Sequence, residues 1–196
     1  MLLDLILYSP ARWVFKGITY FLRYTDFVNA KIGWFVAFMM VPIIAIMVYE
    51  IIMRYFFTAS SLWAYEITLF MYGSYIALGG AYTLLVRGHV NVDVLWGRLP
   101  LRWRAIVDVV TAALLFLFVG VLFKESLEAT IESWKLLEGT MTHWSPPYYP
   151  LRTALPVGCL LLLLQALAKF IRDVHLAITG KETLATKIIV KDTAHA

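Results

Sequence analysis

This 196-residue chain predicts an all-α integral membrane protein with four transmembrane helices and both termini cytoplasmic, on three observations. Hydrophobic residues make up 61% of it and the mean hydropathy is +0.76, well above soluble composition. Four apolar runs, at about 32–53, 65–86, 107–123 and 153–170, approach the roughly 20 residues that cross a ~30 Å hydrocarbon core as a helix. None of them alternates apolar and polar residues as a barrel strand does.

Residues 1–31 precede the first run. Trp13, Phe15, Tyr20, Phe21 and Tyr24 stand there among Arg12, Lys16 and Arg23, which predicts an amphipathic arm on the inner membrane surface. The arm has no basic leader before its apolar start and no small-residue cleavage site, so it does not read as a cleaved signal peptide. The first span carries Pro42, a kink site that lipid tolerates. The second has no charged side chain from 67 to 86; its polar groups gather at its two ends. The third run is the shortest and is expected to continue as an amphipathic helix. Leu127, Ile131, Trp134 and Leu137 then form a stripe opposite Glu125, Glu128 and Glu132, with a stop before Ser145-Pro146-Pro147. The fourth holds Cys159, a lone thiol among leucines that reads as packing. Residues 32–172 therefore make the membrane domain and 173–196 a polar cytoplasmic tail.

Orientation follows from the basic residues, which are retained on the cytoplasmic side. Thirteen of the 17 Lys and Arg fall in the arm, the loop between spans two and three, and the C-terminal segment. Only Arg54, Lys124, Lys135 and Arg152 fall on the other side. Six of the seven tryptophans lie at or beyond the span ends, as interfacial aromatic belts do.

Candidate chemistry is sparse. Glu50 and Arg54 are one turn apart at the outer end of span one, a favourable ion-pair order, and Glu66 follows across a short loop. They read either as a cation or proton site or as an interfacial clamp; the clamp fits better, because a transport carboxylate sits deeper and faces a polar cavity. His89 and Asp93 share one face of a short interfacial helix over 90–99 and can hydrogen-bond. A metal needs further ligands, and none is evident. Gly73, Ala77 and Gly80 give span two a small-residue face suited to close helix packing.

Three functions can be weighed. A haem carrier needs histidines within its spans, and His89, His143, His175 and His195 all lie outside them. A self-contained ion-coupled transporter, using Glu50 and Glu66, needs ionisable or unwound elements near the midplane. Apart from Gln165, the spans offer little. An accessory membrane subunit needs anchoring, packing faces and defined loops, and these are present. Neither catalysis, a cofactor, a metal nor a nucleic-acid partner is expected.

The string Tyr49-Glu50-x-x-x-Arg54-Tyr55-x-Phe57, then Trp63-x-x-Glu66, Gly79-Gly80-Ala81-Tyr82 and His89-Val-x-Val-Asp93 resembles the small, DctQ-like membrane subunit of tripartite ATP-independent periplasmic (TRAP) transporters. Trp144-x-Pro-Pro-x-Tyr-Pro150 and Leu164-Gln165 resemble the mannitol, chloroaromatic and oxo-acid branch. The likeness runs from about residue 32 to 172, and Asn91 stands where relatives often have a basic residue. The resemblance implies an accessory role in the bacterial inner membrane. A large TRAP membrane subunit would carry substrate and sodium, and a periplasmic substrate-binding protein would deliver a small organic acid or polyol. Glu50, Arg54, Trp63, Glu66, Gly73, Ala77, Gly80, His89 and Asp93 are then structural or interface residues in the lipid bilayer.

Overall fold

A computed structural model describes residues 11–86, Gly88 and 101–179. Over these the chain is helical, apart from turns and an isolated antiparallel bridge between Gly139 and Pro147. The helices are α1 (Ala11–Phe56), α2 (Leu62–Leu85), α3 (Leu101–Leu136), the single turn α4 (Tyr149–Arg152) and α5 (Ala154–Thr179). The interfacial helix expected over 90–99, with His89 and Asp93, lies outside the described residues.

α1 is one helix of 46 residues, continuous through Pro42 and through the border at 31–32 where the arm was expected to give way to the first span. α3 also outruns its apolar stretch. Its 36 residues extend past the run at 107–123 through the glutamate-bearing segment to Leu136. Each helix then stops at a left-handed residue: Thr58, with φ 53°, follows α1, and Leu137, with φ 48°, follows α3. After α3 the geometry is a Schellman cap: Glu138 N–H donates to Ser133 O at 3.1 Å and Leu137 N–H to Trp134 O at 3.4 Å.

α5 is the hub. It packs along α2 and α3 and also meets α1, while α2 packs along α1 on its other side. The buried apolar core is built largely of small or slender groups, among them Ala64, Ala81, Val119, Cys159, Ala166 and Ala168. The large hydrophobics point outward instead; Trp34 is 77% exposed, Leu114 69% and Phe118 65%. Three helical stretches, Lys16–Phe56, Ile106–Leu136 and Tyr149–Ile178, are long and apolar enough to cross a membrane. The fourth expected span is α2, 24 residues long. It does not join that set, because its tyrosines, glycines and threonines dilute its apolar average.

Close approach between helices is set at Gly158. A Cβ there would collide with the backbone carbonyl of Ala77, so α5 and α2 touch main chain to main chain. On α1, Gly33 plays the same part beneath the Tyr82 side chain of α2. Gly73 and Gly80, by contrast, have nothing within 4 Å of where a Cβ would stand. The expected Gly73–Ala77–Gly80 face therefore divides, with Ala77 committed to α5 and the two glycines open. Gly158→Ala is expected to destabilise the bundle by about 1–3 kcal/mol, the range for forcing atoms into packed space. Gly80→Ala is expected to be neutral or up to ~1 kcal/mol stabilising through helix propensity. Thermal unfolding of both variants in detergent reads the difference.

Candidate functional site

Polar side chains collect in two layers, one near each end of the bundle. The first is built around Glu50, near the C-terminus of α1. Its carboxylate is buried and receives three donors: Arg54 Nη2 at 2.8 Å, Ser61 N–H at 3.1 Å and Ser61 Oγ at 2.5 Å. Ser61 is the N-cap of α2 but makes no side-chain cap bond; its hydroxyl serves Glu50 instead. Thus the hairpin is clamped by the carboxylate reaching across the turn, with Arg54 as its counter-ion. Trp63 adds a tilted ring contact to Tyr49 at 5.6 Å.

Glu66 belongs to a different contact. It is buried, and its Oε2 accepts from Thr140 Oγ1 at 3.3 Å. Thr140 sits on a strap, residues 137–148, that folds back between α3 and α4. Thr140 N–H donates to Pro146 O at 3.0 Å and Tyr148 N–H to Glu138 O at 2.8 Å. Arg152 holds the strap from α4, pairing with Glu138 at 3.2 Å and lying 5.1 Å over the Tyr148 ring. The Trp144-x-Pro-Pro-x-Tyr-Pro150 motif is the return of this strap and its entry into α4.

The second layer was not foreseen. Asn29 Nδ2 donates to Gln165 Oε1 at 2.6 Å, and Gln165 Nε2 donates to Asp26 Oδ1 at 3.1 Å. Asp26 is also ion-paired with Arg172. One face of α5 continues the layer to α3, where Lys169 pairs with Asp108 at 3.2 Å and with Asp173 on its own helix at 2.8 Å. Gln165 stood out in the sequence as a lone polar group, but its partners did not. The available signal was Asp26-x-x-Asn29, two polar residues one turn apart with Gly33 a further turn along.

Elsewhere, several hydroxyls bond a carbonyl one turn back on their own helix. Thr68 donates to Ala64 O at 2.8 Å, Thr83 to Gly79 O at 3.0 Å and Thr130 to Ser126 O at 2.7 Å. Among the described residues no three His, Cys, Asp or Glu side chains gather as a metal would require. A surface concavity of about 370 Å³ on α1 is lined by Phe27, Ala30, Lys31 and Trp34, outside the bundle's core.

Residues 43–176 match the family model for "Tripartite ATP-independent periplasmic transporters, DctQ component". The chain belongs to that family. The DctQ component is a part of a transport system, and the matched stretch contains the Glu50 clamp, the strap and α5 as far as Leu176. Asp26 and Asn29 fall before it. Among curated proteins, the chain is similar to the C4-dicarboxylate TRAP transporter small permease protein DctQ of Vibrio cholerae serotype O1, 28% identical over 128 residues. That alignment takes in 65% of this chain and 49% of the relative, so the chain matches about half of that protein's length.

The second layer sets a clear energetic expectation. Arg172→Ala leaves Asp26 a buried anion without its cation and should cost about 3–5 kcal/mol. Gln165→Leu strands only the neutral amide of Asn29 and one contact of Asp26, and should cost about 1–3 kcal/mol. Denaturation of each variant in the same detergent should rank them in that order.

Proposed function

We propose that this chain is the accessory, scaffold-type membrane subunit of a sodium-driven TRAP transporter in a bacterial inner membrane. It works with a large TRAP membrane subunit and a periplasmic substrate-binding protein to import a small organic acid or polyol. In this reading α2 completes a four-span domain beside α1, α3 and α5. Both termini face the cytoplasm, residues 1–31 meet the inner surface, and lipid covers much of the outward apolar face. The similarity to the C4-dicarboxylate transporter subunit of Vibrio favours an acid as cargo, while the strap motif favours the oxo-acid and polyol branch.

The observation that carries the proposal is the occupation of the Glu50 carboxylate by the chain's own donors. Glu50, the carboxylate a self-contained carrier would need, already accepts from Arg54 and twice from Ser61. A coupling ion would have to displace donors rather than fill a vacancy. Between the layers the buried polar groups are hydroxyls such as Thr68, bonded within its own helix, and among the described residues no carboxylate stands there to replace a translocated ion's water. Such a bundle holds a neighbour in place better than it passes a solute.

Reconstituted alone in liposomes, the chain should transport nothing under any imposed sodium or proton gradient. With its large subunit and binding protein it should support sodium-driven uptake of an organic acid or polyol. Flux through the isolated chain would overturn the accessory reading. Orientation has its own measurement. A reporter active only in the cytoplasm should work when fused after Ala196 or within 98–104, and be silent within 132–139.

A further inference from the structure

Near the Glu50 end of the bundle, most carboxylates are accounted for. Glu50 holds Arg54, Glu138 holds Arg152 and Glu128 holds Lys124, while Glu125 and Glu132 are exposed. Glu66 differs from all of these. It is 4% exposed, its Oε1 is buried without a partner, and its Oε2 has only the Thr140 hydroxyl at 3.3 Å. That hydroxyl is shared, lying 2.9 Å from Thr142 Oγ1. A buried carboxylate needs a cation or several donors, and the described chain supplies neither.

The cover over Glu66 is itself held under strain. Leu137, at the start of the strap, has φ 48°, and Ser145, on its return, has φ 42°; both are side-chain-bearing residues in the left-handed region. At the tip Met141 is fully exposed and Trp144 is 46% exposed. Lifting the strap would uncover the anion.

We infer that Glu66 is a docking anion: a basic side chain of the large membrane subunit reaches its Oε1 as the 137–148 strap swings off α2. The inference rests on the accessory-subunit reading and gives it a specific contact. The occupant is a lysine or arginine rather than a small metal ion, because Glu66 and Thr140 supply too few oxygens to replace an ion's hydration shell.

The test compares wild type, Glu66→Gln and Thr140→Val, each alone in detergent and each co-expressed with the large subunit. Alone, Glu66→Gln should unfold at the same temperature as wild type or higher, since it removes an uncompensated buried charge. In the complex it should co-purify with the large subunit about tenfold less or worse, as expected for breaking a buried interfacial charge pair. Thr140→Val frees the strap while keeping the anion, and should co-purify as well as wild type or better. Equal co-purification of wild type and Glu66→Gln would overturn the inference and leave the accessory role standing. So would a parallel loss in Glu66→Gln and Thr140→Val, or a lowered unfolding temperature of isolated Glu66→Gln, each of which marks an internal structural contact. Stabilisation of isolated wild type by sodium over choline chloride, absent in Glu66→Gln, would replace the basic side chain with a small cation. Failure of wild type itself to assemble would sink the accessory reading, and the docking role with it.

Discussion

A polar group shut away from water must find its hydrogen bonds inside the protein, and in an apolar bundle those bonds decide which helices stay together. Here Asp26, Asn29, Gln165 and Arg172 form one connected set across α1 and α5, and Lys169 extends it to Asp108 of α3. Glu50 does the same for the α1–α2 turn at the far end. The packing between these layers is thin and made of small side chains, so it fixes distance more than partners. Register comes from the polar layers. Distance comes from Gly158 and Gly33, where backbone or ring lies directly against the glycine.

That division explains what the sequence made legible. Composition and run length report the solvent each helix meets, so the all-helical class and the apolar stretches could be read directly. The Glu50–Arg54 pair was readable because both partners lie one turn apart on one helix. Asp26 with Gln165 was not, since 139 positions separate them and nothing local marks the pairing. Glu66 shows the same limit from the other side. Proximity in sequence placed it in the Glu50 clamp, whereas its hydrogen bond goes to Thr140, 74 positions away. Of the Gly73–Ala77–Gly80 spacing only Ala77 lies at a backbone approach, and the glycine that permits it, Gly158, was hidden in a leucine-rich run. The stripe at Leu127, Ile131 and Trp134 carried the expected helix beyond the third apolar run, as α3 does, but its end was not legible, because the stop came from a left-handed Leu137 that no propensity favours.

The strap joins these themes. Its sequence, dense in proline and aromatic residues, looks like a linker, yet Arg152 ties it to Ala129 O at 3.4 Å, Glu138 at 3.2 Å and the Tyr148 ring at 5.1 Å. Trp134 meets Tyr149 edge-on at 4.6 Å and Phe70 meets Tyr148 at 5.8 Å. One arginine and four rings thus set the far ends of α2, α3 and α5 against one another. These contacts hold the two ends of the strap, Glu138 and Tyr148, and none of them involves Thr140 or the tip.

The length of α1 has a mechanical meaning. At 1.5 Å per residue its 46 residues form a rod of about 69 Å, more than twice the ~30 Å hydrocarbon thickness. Pivoted at Phe56, such a rod moves its Ala11 end by about 1.2 Å for each degree of tilt. Asp26 and Asn29 grip it roughly two-thirds of the way out, where leverage is large and small bonds resist large rotations. Loss of that grip would leave α1 held by α2 as far out as Gly33 beneath Tyr82, and free only the half of the rod beyond it, where each degree counts most. α1 is therefore a gauge of the bundle's inclination, amplifying at one end whatever slack exists at the other.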